Sequence, residues 1–380
     1  MRFLHTSDWH IGRTFHNVSL LDDQAYILDQ ILEIAIAQKV TAIVVSGDIY
    51  DRSVPPATAV ALLDSVVHKI IHDLNISLIM IPGNHDSAQR LGFASRQLKH
   101  AGLHILGELE QTPSSVVLSD TETQVAFWGM PYADPAHVRS AYQVNVSTHD
   151  QGIQVLTENI VKQFTPGQRN VVLSHCFLDG ASESDSERPL SIGGADRVSW
   201  QHFEAFDYVA LGHLHGRQFK GVERIRYSGS PLKYSFSEEK QIKSVTIVDI
   251  SASEPCAFEQ VPLKPLRNMR SIEGEFETIL KNGISDPNRE DYLLVKLTDT
   301  HAILDVMGKL REVFPNILHL ERPGLMAQRS DQGVAPQQLN TNELSMFEDF
   351  FGQVMQRELT KDEKALVEQV IDNVQQGGAK

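Results

Sequence analysis

The sequence predicts an α/β protein in which mixed β-sheets are sandwiched by helices, followed by a small α+β domain and a helical tail. The first observation is the alternation of short apolar runs with helically spaced ones over residues 1–262. The second is a change of pattern at 263–322, where two strand-like runs precede a helix and a strand. The third is a segment at 323–340 rich in Gly, Pro and Gln, which we interpret as a linker to amphipathic stretches at 341–376.

The composition is that of a globular protein without a membrane span. The 380 residues are 41% hydrophobic and 22% charged, with no apolar run of about 18 residues. The start MRFLHTSD lacks a secretory-signal pattern, and a single pair of cysteines, Cys176 and Cys256, makes no disulfide framework, so we expect a cytoplasmic protein. The net charge of -15 argues mildly against nucleic-acid binding, although bound cations and local basic patches can offset phosphate charge.

The first domain has a regular order of elements. The expected strands are 2–4, 41–45, 78–81, 125–128, 170–174, 208–211, 225–227 and 244–248, and the expected helices are 21–38 and 57–73. The early βαβα order places helices on both faces of a sheet, and the later hairpin-like stretches indicate that the sheet is mixed. In such a fold, functional residues lie just beyond the carboxyl ends of the strands.

The second domain and the tail are smaller. SIEGEFE and DYLLVKL are expected strands, followed by a helix near 302–313 and a strand at 316–320. The tail offers a helix at 343–358 and another opened by the capping-box pattern from Thr360 to Glu363. We expect their apolar faces to dock onto a partner, helix into groove. The alternative is that they fold back on their own domain.

Five predicted strands end in residues that can ligate a metal. These are Asp8 and His10 in DWH, Asp48 in GD, Asn84, His85 and Asp86 in GNHD, His175 after NVVLS, and His213 and His215 in GHLH. Each alone has an ordinary explanation, since an aspartate after a strand often forms a turn and a single histidine often belongs to the core. Chance is a poor account of all five together. Oxygen and imidazole ligands suit Mn, Fe or Zn, and the lack of thiolates argues against structural zinc.

Two cations about 3.5–4 Å apart need a bridging carboxylate, and Asp48 is the natural bridge because it ends a central strand. Asp8 and His10 would complete one site with either of the downstream histidines. They lie two residues apart, so on an extended chain both would point to one side, while Trp9 turns into packing.

The second site would consist of Asn84, His175 and the other downstream histidine. His213 and His215, two apart on an extended segment, could reach different cations. His85 need not be a ligand. It could stabilise charge on a phosphate or protonate a leaving oxygen, with Asp86 orienting its ring.

The motif series resembles the signature of calcineurin-like metallophosphoesterases. More narrowly, HTSDWHIGR, GDIYDRSVPP, PGNHDSAQRL and GHLHGRQ with YSGSPLKYSFSE resemble the SbcD family of bacterial nuclease subunits, over about residues 1–322 and more weakly in the tail. The resemblance implies a metallophosphoesterase fold with a DNA-capping domain at 263–322. It also implies two ligand sets and a catalytic His85. The first set is Asp8, His10, Asp48 and His215, and the second is Asp48, Asn84, His175 and His213.

The same resemblance implies two divalent metal ions, typically Mn²⁺, and DNA cleavage as a double-strand exonuclease and single-strand endonuclease. It further implies an SbcC-type, SMC-like ATPase partner bound by the tail, a homodimer within a heterotetramer, and a role in DNA repair, recombination and replication at the nucleoid. Archaeal and eukaryotic relatives carry a histidine in the stretch where this chain has Asp51, so a second catalytic histidine is not carried over.

Several basic residues flank the motifs. GDIYDR resembles the GDxxDRG of protein phosphatases, in which the arginine grips phosphate, so Arg52 is a candidate, although Ser53 replaces the glycine. Arg13, His16 and Arg90 could contact DNA phosphate or be solvated surface charges. Lys264, Arg267 and Arg270 form a modest basic cluster with the same two explanations.

Three classes of function fit these observations. A metal-dependent DNA nuclease within an ATPase complex leads. A phosphomonoesterase or cyclic-nucleotide phosphodiesterase on the same fold is the runner-up, but it needs neither an accessory domain nor a helical tail. A non-catalytic scaffold would have lost ligands, and none of the expected positions is lost.

Overall fold

The structure is a computed structural model that describes residues 1–187, 196–301, 303–323, 344, 347–348, 351 and 357–377. It divides into two compact units, Met1–Ser271 with Glu290–Leu293, and Ile272–Arg289 with Leu294–Lys380. The expected domain bounds at 262 and 322 stay predictions. Within the described part of the chain, no helix is both long and apolar enough to cross a membrane.

The first unit is built on two six-stranded sheets. Its strands are β1 (Arg2–Thr6), β2 (Thr14–Phe15), β3 (Val18–Ser19), β4 (Ala42–Ser46), β5 (Ser77–Ile81), β6 (Leu103–Ile105), β7 (Val116–Ser119), β8 (Gln124–Met130), β9 (Arg169–His175), β10 (Phe177–Leu178), β11 (Arg197–Val198), β12 (Tyr208–Gly212), β13 (Gln218–Lys220), β14 (Val222–Tyr227), β15 (Ser244–Asp249) and β16 (Ala257–Pro262). The sheet orders are β16-β15-β1-β4-β5-β6 and β13-β14-β12-β9-β8-β7. The helices of this unit are α1 (Leu21–Ala37), α2 (Ala57–His68), α3 (Ala88–Leu91), α4 (Ser95–Leu98), α5 (Pro135–Tyr142) and α6 (His149–Val161).

Both sheets are mixed, as the sequence predicts. The central strands β1, β4, β5 and β6 run parallel, whereas β15 is antiparallel to β1 and β16 to β15. In the second sheet β8, β9, β12 and β14 are parallel, and β7 and β13 are antiparallel edges. Parallel strands bring their carboxyl ends to one edge, and this edge carries the predicted site.

The two sheets pack face to face. Phe3, Val44 and Ile79 from the first sheet share one buried cluster with Phe127 and Leu173 from the second. Alternate residues of the central strands are also fully buried, which is the pattern of a sheet covered on both faces. The helices on the outer faces supply that cover, and α1 does so with the apolar stripe Ile27, Ile31 and Ala35 predicted from its spacing.

Several elements differ from the prediction. The helix expected over 57–73 is α-helical to His68 and continues as a π-helical turn, Lys69–Asp73. Helices α5 and α6 were not predicted. The run SIEGEFE is not a single strand, because Phe276 begins a helix after the strand ends at Gly274. The Asp299 carboxylate accepts a hydrogen bond from the Phe276 backbone N–H, which fixes that helix start.

The second unit is described by itself. The sheet that lies mainly in this unit has the order β17 (Met269–Gly274), β18 (Tyr292–Leu297), β19 (Ile317–Glu321), and its helices are α7 (Phe276–Gly283), α8 (Val306–Val313) and α9 (Lys361–Gly377). The capping box before α9 is confirmed, since Thr360 N donates to Glu363 Oε2 at 2.9 Å and Glu363 N donates back to Thr360 Oγ1 at 3.4 Å. The expected linker from 324 onward and most of the helix at 343–358 lie outside the described residues.

Candidate metal centre

All seven predicted ligands lie beyond, or at the end of, strands that run parallel at the centre of the two sheets. Residues 8 and 10 follow β1, residue 48 follows β4 and residue 84 follows β5; His175 ends β9, and residues 213 and 215 follow β12. All of these side chains except Asn84 are buried. Facing sheets with parallel central strands therefore bring together residues up to 207 positions apart along the chain.

The first group comprises Asp8, His10 and His215, whose ligand atoms all lie within 4.8 Å of one another. His10 Nε2 is 3.1 Å from His215 Nε2. Asp8 accepts hydrogen bonds from the His213 backbone N–H at 3.0 and 3.2 Å, so its carboxylate is held against the β12 loop. These three side chains surround one point at which a cation would meet oxygen and nitrogen donors.

The second group comprises Asn84, His175 and His213. Asn84 Oδ1 lies 2.9 Å from His175 Nε2 and 3.3 Å from His213 Nδ1. Asp48 lies between the two groups, because its Oδ2 is 3.6 Å from His10 Nε2 and 3.5 Å from His175 Nε2. This is the position that a bridging carboxylate would occupy.

The backbone of the site differs from the extended chain assumed in the sequence analysis. Asp8, His10, Asp48 and His213 have φ angles of 54°, 47°, 51° and 103°. Non-glycine residues seldom adopt such values, which cluster at functional sites. The argument that Asp8 and His10 share a side because the chain is extended is therefore wrong for DWH, and the chain at His213 is not extended either. The expectation for Trp9 is confirmed, since it is 1% exposed and its Nε1 donates to Thr6 Oγ1.

His85 lies beside the bridge but has its own partners. Its backbone N–H donates to Asp48 Oδ1 at 2.9 Å, and its Nδ1 lies 2.7 Å from the Asp51 carbonyl oxygen. Its Nε2 is 3.8 Å from Asp48 Oδ2. The expectation that Asp86 orients this ring is wrong, because the Asp51 carbonyl does so.

Asp86 instead joins two ligand loops. Its carboxylate accepts hydrogen bonds from the backbone N–H groups of Ile49, Tyr50 and Gly83 at 2.9–3.0 Å. Burial and the nearby charge of Asp48 raise the pKa of Asp86 to about 7 despite these three donors. Asp86 therefore holds the loop after β4 against the loop after β5, and thereby positions Asp48 relative to Asn84.

The electrostatics of the site favour divalent cations. Burial lowers the pKa of His10, His175 and His213, which keeps these imidazoles neutral, the form that binds a metal. Burial and the charge of Asp48 raise the pKa of Asp8 well above its usual range. A cation would relieve this repulsion between carboxylates.

The donor atoms also fit. The two Nε2 atoms of His10 and His215 lie at hydrogen-bonding distance, yet two neutral acceptors repel each other unless a proton or a cation lies between them. Asp, Asn and His without a cysteine form the ligand set of hard or intermediate divalent metals. The residues present therefore fit a pair of such ions.

The sequence analysis missed the side chains behind the first group. Ser186 Oγ lies 2.6 Å from His215 Nδ1 and 2.5 Å from Glu238 Oε1, and Lys243 Nζ lies 2.5 Å from Glu238 Oε2. Gln24 Nε2 donates to the His10 carbonyl at 2.7 Å. Glu238 stands in the stretch YSGSPLKYSFSE that carried the family resemblance, but no periodicity links it to a residue 52 positions away.

The four candidate phosphate contacts fall into two pairs. Arg52 and His16 are exposed, His16 at the turn between β2 and β3. Arg13 and Arg90 hold the loops instead: Arg13 Nη2 donates to the Ser186 carbonyl at 3.2 Å, and Arg90 Nη1 to the Ser53 carbonyl at 2.8 Å. Arg52, His16 and Arg90 are exposed to solvent, whereas Arg13 is half-buried.

Two members of the basic cluster are likewise used internally. Arg267 Nη1 lies 2.8 Å from Asp23 Oδ2, and Arg270 Nε lies 2.8 Å from Asp291 Oδ2. These ion pairs fix the segment that leads into β17, so phosphate binding is not needed to explain either arginine. Cys176 is 5% exposed within a hydrophobic cluster, which confirms its expected apolar role.

Comparison with known proteins gives three findings. Residues 1–217 match the model of the calcineurin-like phosphoesterase family. Residues 265–358 match a family described as the type 5 capsule protein repressor C-terminal domain, also designated SbcD_C. SbcD, a subunit of the nuclease SbcCD of Staphylococcus epidermidis, is 37% identical over 321 residues, which cover 84% of this chain and 85% of that protein.

Similarity to solved structures is lower. A dimetal phosphatase from Danio rerio is 12% identical, with a TM-score of 0.39, over 70% of this chain and 98% of that one. The protein TT1561 of Thermus thermophilus is 12% identical, with a TM-score of 0.38, over 69% of this chain and 98% of that one.

Proposed function

The chain belongs to the calcineurin-like phosphoesterase family and, within it, to the SbcD family of nuclease subunits, and from this membership we propose that it is the DNA-cleaving subunit of an SbcCD-type complex. The observation that carries the proposal is the meeting of seven oxygen and imidazole ligands at one edge of two facing sheets. Asp48 stands between the two groups of ligands. Such a pair of sites suits hydrolysis of a phosphodiester.

Each ligand has an assigned place in this proposal. Asp8, His10, Asp48 and His215 hold one divalent ion, and Asp48, Asn84, His175 and His213 hold the other. When bound, the two ions polarise the phosphoryl oxygens and make water more acidic. Mn²⁺ is the proposed ion, supported by the mixed oxygen and imidazole set without thiolates.

His85 is the proposed catalytic residue. Its Nδ1 is held by the Asp51 carbonyl oxygen at 2.7 Å, so Nδ1 carries a proton and Nε2 is the nitrogen that gains or loses one. When protonated, Nε2 can donate to a phosphate oxygen or to the leaving oxygen of the cleaved strand. Asp86 supports this step as a positioning residue, since it fixes the loops that carry Asp48 and His85.

The proposed substrate is DNA, cut as a double-strand exonuclease and a single-strand endonuclease in repair and recombination. Because the chain has a net charge of -15, the DNA phosphates are proposed to be bound by the cations and by local basic groups. Arg52 and His16 are the proposed first contacts with phosphate because both are exposed beside the site loops. Residues 263–322 are proposed to cap the DNA.

The proposed partner is an SbcC-type, SMC-like ATPase, with the chain acting as a homodimer within a heterotetramer. The support is the relative's place in an SbcCD enzyme and the match of residues 265–358 to the SbcD_C family. Leu366 and Val370 lie one helical turn apart on α9 and are 61% and 54% exposed, which suits a helix that docks in a groove. A cytoplasmic, nucleoid-associated location follows from this role.

The test uses purified chain, Mn²⁺, linear duplex DNA, circular single-stranded DNA and p-nitrophenyl phosphate, with and without the ATPase. We expect Mn²⁺-dependent cleavage of both DNA substrates, stimulated on duplex ends by the ATPase and ATP. Release of p-nitrophenol without DNA cleavage, even with the ATPase present, would favour the phosphomonoesterase alternative and overturn the proposal.

A further inference from the structure

His215 is held on its Nδ1 side by a buried chain of hydrogen bonds. Nδ1 lies 2.6 Å from Ser186 Oγ, which lies 2.5 Å from Glu238 Oε1. The exposed fractions of His215, Ser186 and Glu238 are 1%, 7% and 0%. A carboxylate only accepts, so the hydroxyl donates to Glu238 and the ring N–H donates to the hydroxyl. This direction leaves Nε2 without a proton, facing Nε2 of His10.

Lys243 fixes the far end of the chain. Its Nζ lies 2.5 Å from Glu238 Oε2 and donates at 2.9 Å both to the His215 carbonyl oxygen and to Ser230 Oγ. The Glu238–Lys243 pair thus holds His215 by its side chain and by its backbone. A buried ion pair contributes little net stability. The main consequence of the Glu238–Lys243 pair is therefore that it fixes the conformation of His215.

Two other histidine ligands, His175 and His10, are held differently. His175 Nδ1 lies 2.9 Å from the Ser46 backbone carbonyl, which no side-chain substitution removes. His10 Nδ1 is buried and has no hydrogen-bond partner in the described part of the chain, with Asp51 Oδ1 3.7 Å away. Of these three imidazoles, His215 alone is oriented by side chains that mutation can remove one at a time.

We propose that Glu238 is a positioning residue for the first ligand set: acting through Ser186, it fixes the proton and ring orientation of His215 and so sets the affinity of that set for its cation. The inference deepens the proposed function, on which it rests for the presence of cations. Carboxylates behind metal-bound histidines raise ligand basicity, and their loss typically weakens metal binding about 10- to 100-fold.

The test is Mn²⁺ binding by the full chain, measured by calorimetry and by the EPR signal of free Mn²⁺. Ser186→Ala removes the hydroxyl that links Glu238 to His215, leaves only the longer direct approach of His215 Nδ1 to Glu238 Oε1 at 3.4 Å, and keeps the Glu238–Lys243 pair in place. We expect one of two Mn²⁺ sites to weaken about 10- to 100-fold and the other to keep its affinity. Glu238→Gln should act in the same direction, and Ser182→Ala, an exposed serine of the same segment, should leave both sites unchanged.

Unchanged Mn²⁺ binding by Ser186→Ala overturns the inference, as does equal weakening of both sites together with a lower melting temperature of the metal-free protein. Should Glu238→Gln fail to fold, Ser186→Ala alone decides. Excess Mn²⁺ should restore DNA cleavage by Ser186→Ala to the wild-type rate, and failure to do so counts against a positioning role. A wild-type chain that binds two Mn²⁺ but cuts no DNA refutes the proposed function without touching this result.

Discussion

The Nε2 atoms of His10 and His215 lie 3.1 Å apart in the interior of the protein, and Asp48 Oδ2 lies 3.6 Å from the former. Two imidazole nitrogens that face each other beside a carboxylate form an arrangement that a bound cation completes. Burial of these donor atoms destabilises the metal-free protein, and for the same reason it increases the affinity of the site for a cation. Stability should therefore depend on metal.

Removal of metal should lower the free energy of unfolding. Each cation present at 100 times its Kd stabilises the folded chain by about 2.7 kcal/mol, because the unfolded chain lacks the site. Thermal unfolding with saturating Mn²⁺ and with a chelator measures the difference. In Asp48→Asn the Mn²⁺-dependent shift should vanish, since both ligand sets lose their shared carboxylate. A full shift in that variant would show that Asp48 is not the bridge.

His85→Ala should bind both cations and lose cleavage. The ring contacts the Asp51 carbonyl and lies 3.8 Å from Asp48 without belonging to either ligand group, so metal affinity should change little. Loss of a general acid typically costs about 10²- to 10⁴-fold in rate. Single-turnover cleavage and Mn²⁺ titration, with the exposed His100→Ala as the matched control, separate the two effects. Loss of a cation would instead make His85 a ligand.

Gly212→Ala should disturb the second ligand set. A Cβ at this position would lie 1.9 Å from the Ser46 carbonyl oxygen and 3.0 Å from His175 Nδ1, which that carbonyl orients. Either the carbonyl or β12 must shift, at a cost of about 1–3 kcal/mol for overpacking. We expect a lower melting temperature and weaker binding of one Mn²⁺.

Gly152→Ala is the control for this substitution. Its Cβ would meet nothing closer than Val138 at 3.4 Å, and it lies within helix α6, where alanine is favoured over glycine. The control should be as stable as the wild type or more so. Wild-type Mn²⁺ stoichiometry and affinity in Gly212→Ala would mean that the Ser46 carbonyl does not hold His175 in place.

The positions of the ligands could be predicted from sequence, whereas the geometry that joins them could not. Parallel strands bring their carboxyl ends to one edge of a sheet regardless of loop conformation. The sequence could therefore predict that Asp48 and His175 lie close together. The positive φ angles of Asp8 and His213 could not be predicted, because Asp and His are enriched at such angles but adopt negative φ in most positions. Glu238 reaches His215 only through tertiary packing. Helix α6 could have been predicted from the helical spacing of Ile153, Leu156 and Ile160, but the sequence analysis did not predict it.

Truncation after Gln338 should abolish binding to the ATPase and leave Mn²⁺-dependent cleavage by the chain alone. The reason is that every proposed ligand lies before residue 216, while the proposed docking helices lie beyond 340. Co-purification and the nuclease assay read out the two properties. Leu366→Asp with Val370→Asp should reproduce the loss of binding, and Glu368→Ala, on the opposite side of α9, should not. Normal co-purification of the truncated chain would place the contact elsewhere.

Acid should destabilise the metal-free protein partly through His5. This histidine is fully buried, and burial lowers its pKa to about 3 against the hydrogen bond to the Leu211 carbonyl, which favours the charged ring. The unfolded chain, with a histidine pKa of 6.5, binds the proton that the folded chain rejects. The folded protein therefore keeps its full stability with respect to His5 above pH 6.5, and its free energy of unfolding falls as the pH decreases from 6.5 toward 3. Between pH 7 and pH 5 the loss from His5 should be about 2 kcal/mol.

His5→Gln tests this assignment because it keeps an amide donor for the Leu211 carbonyl and cannot titrate. Urea unfolding of the metal-free wild type and variant at pH 7 and pH 5 gives the two losses of stability. The buried histidines of the metal site and all carboxylates titrate in both proteins, so their contributions cancel in the difference. The variant should lose about 2 kcal/mol less than the wild type over this interval, whatever its absolute stability. Equal losses would mean that the folded protein accommodates a charged His5, through a rotated Tyr208 hydroxyl or an opening of the sheet beside it.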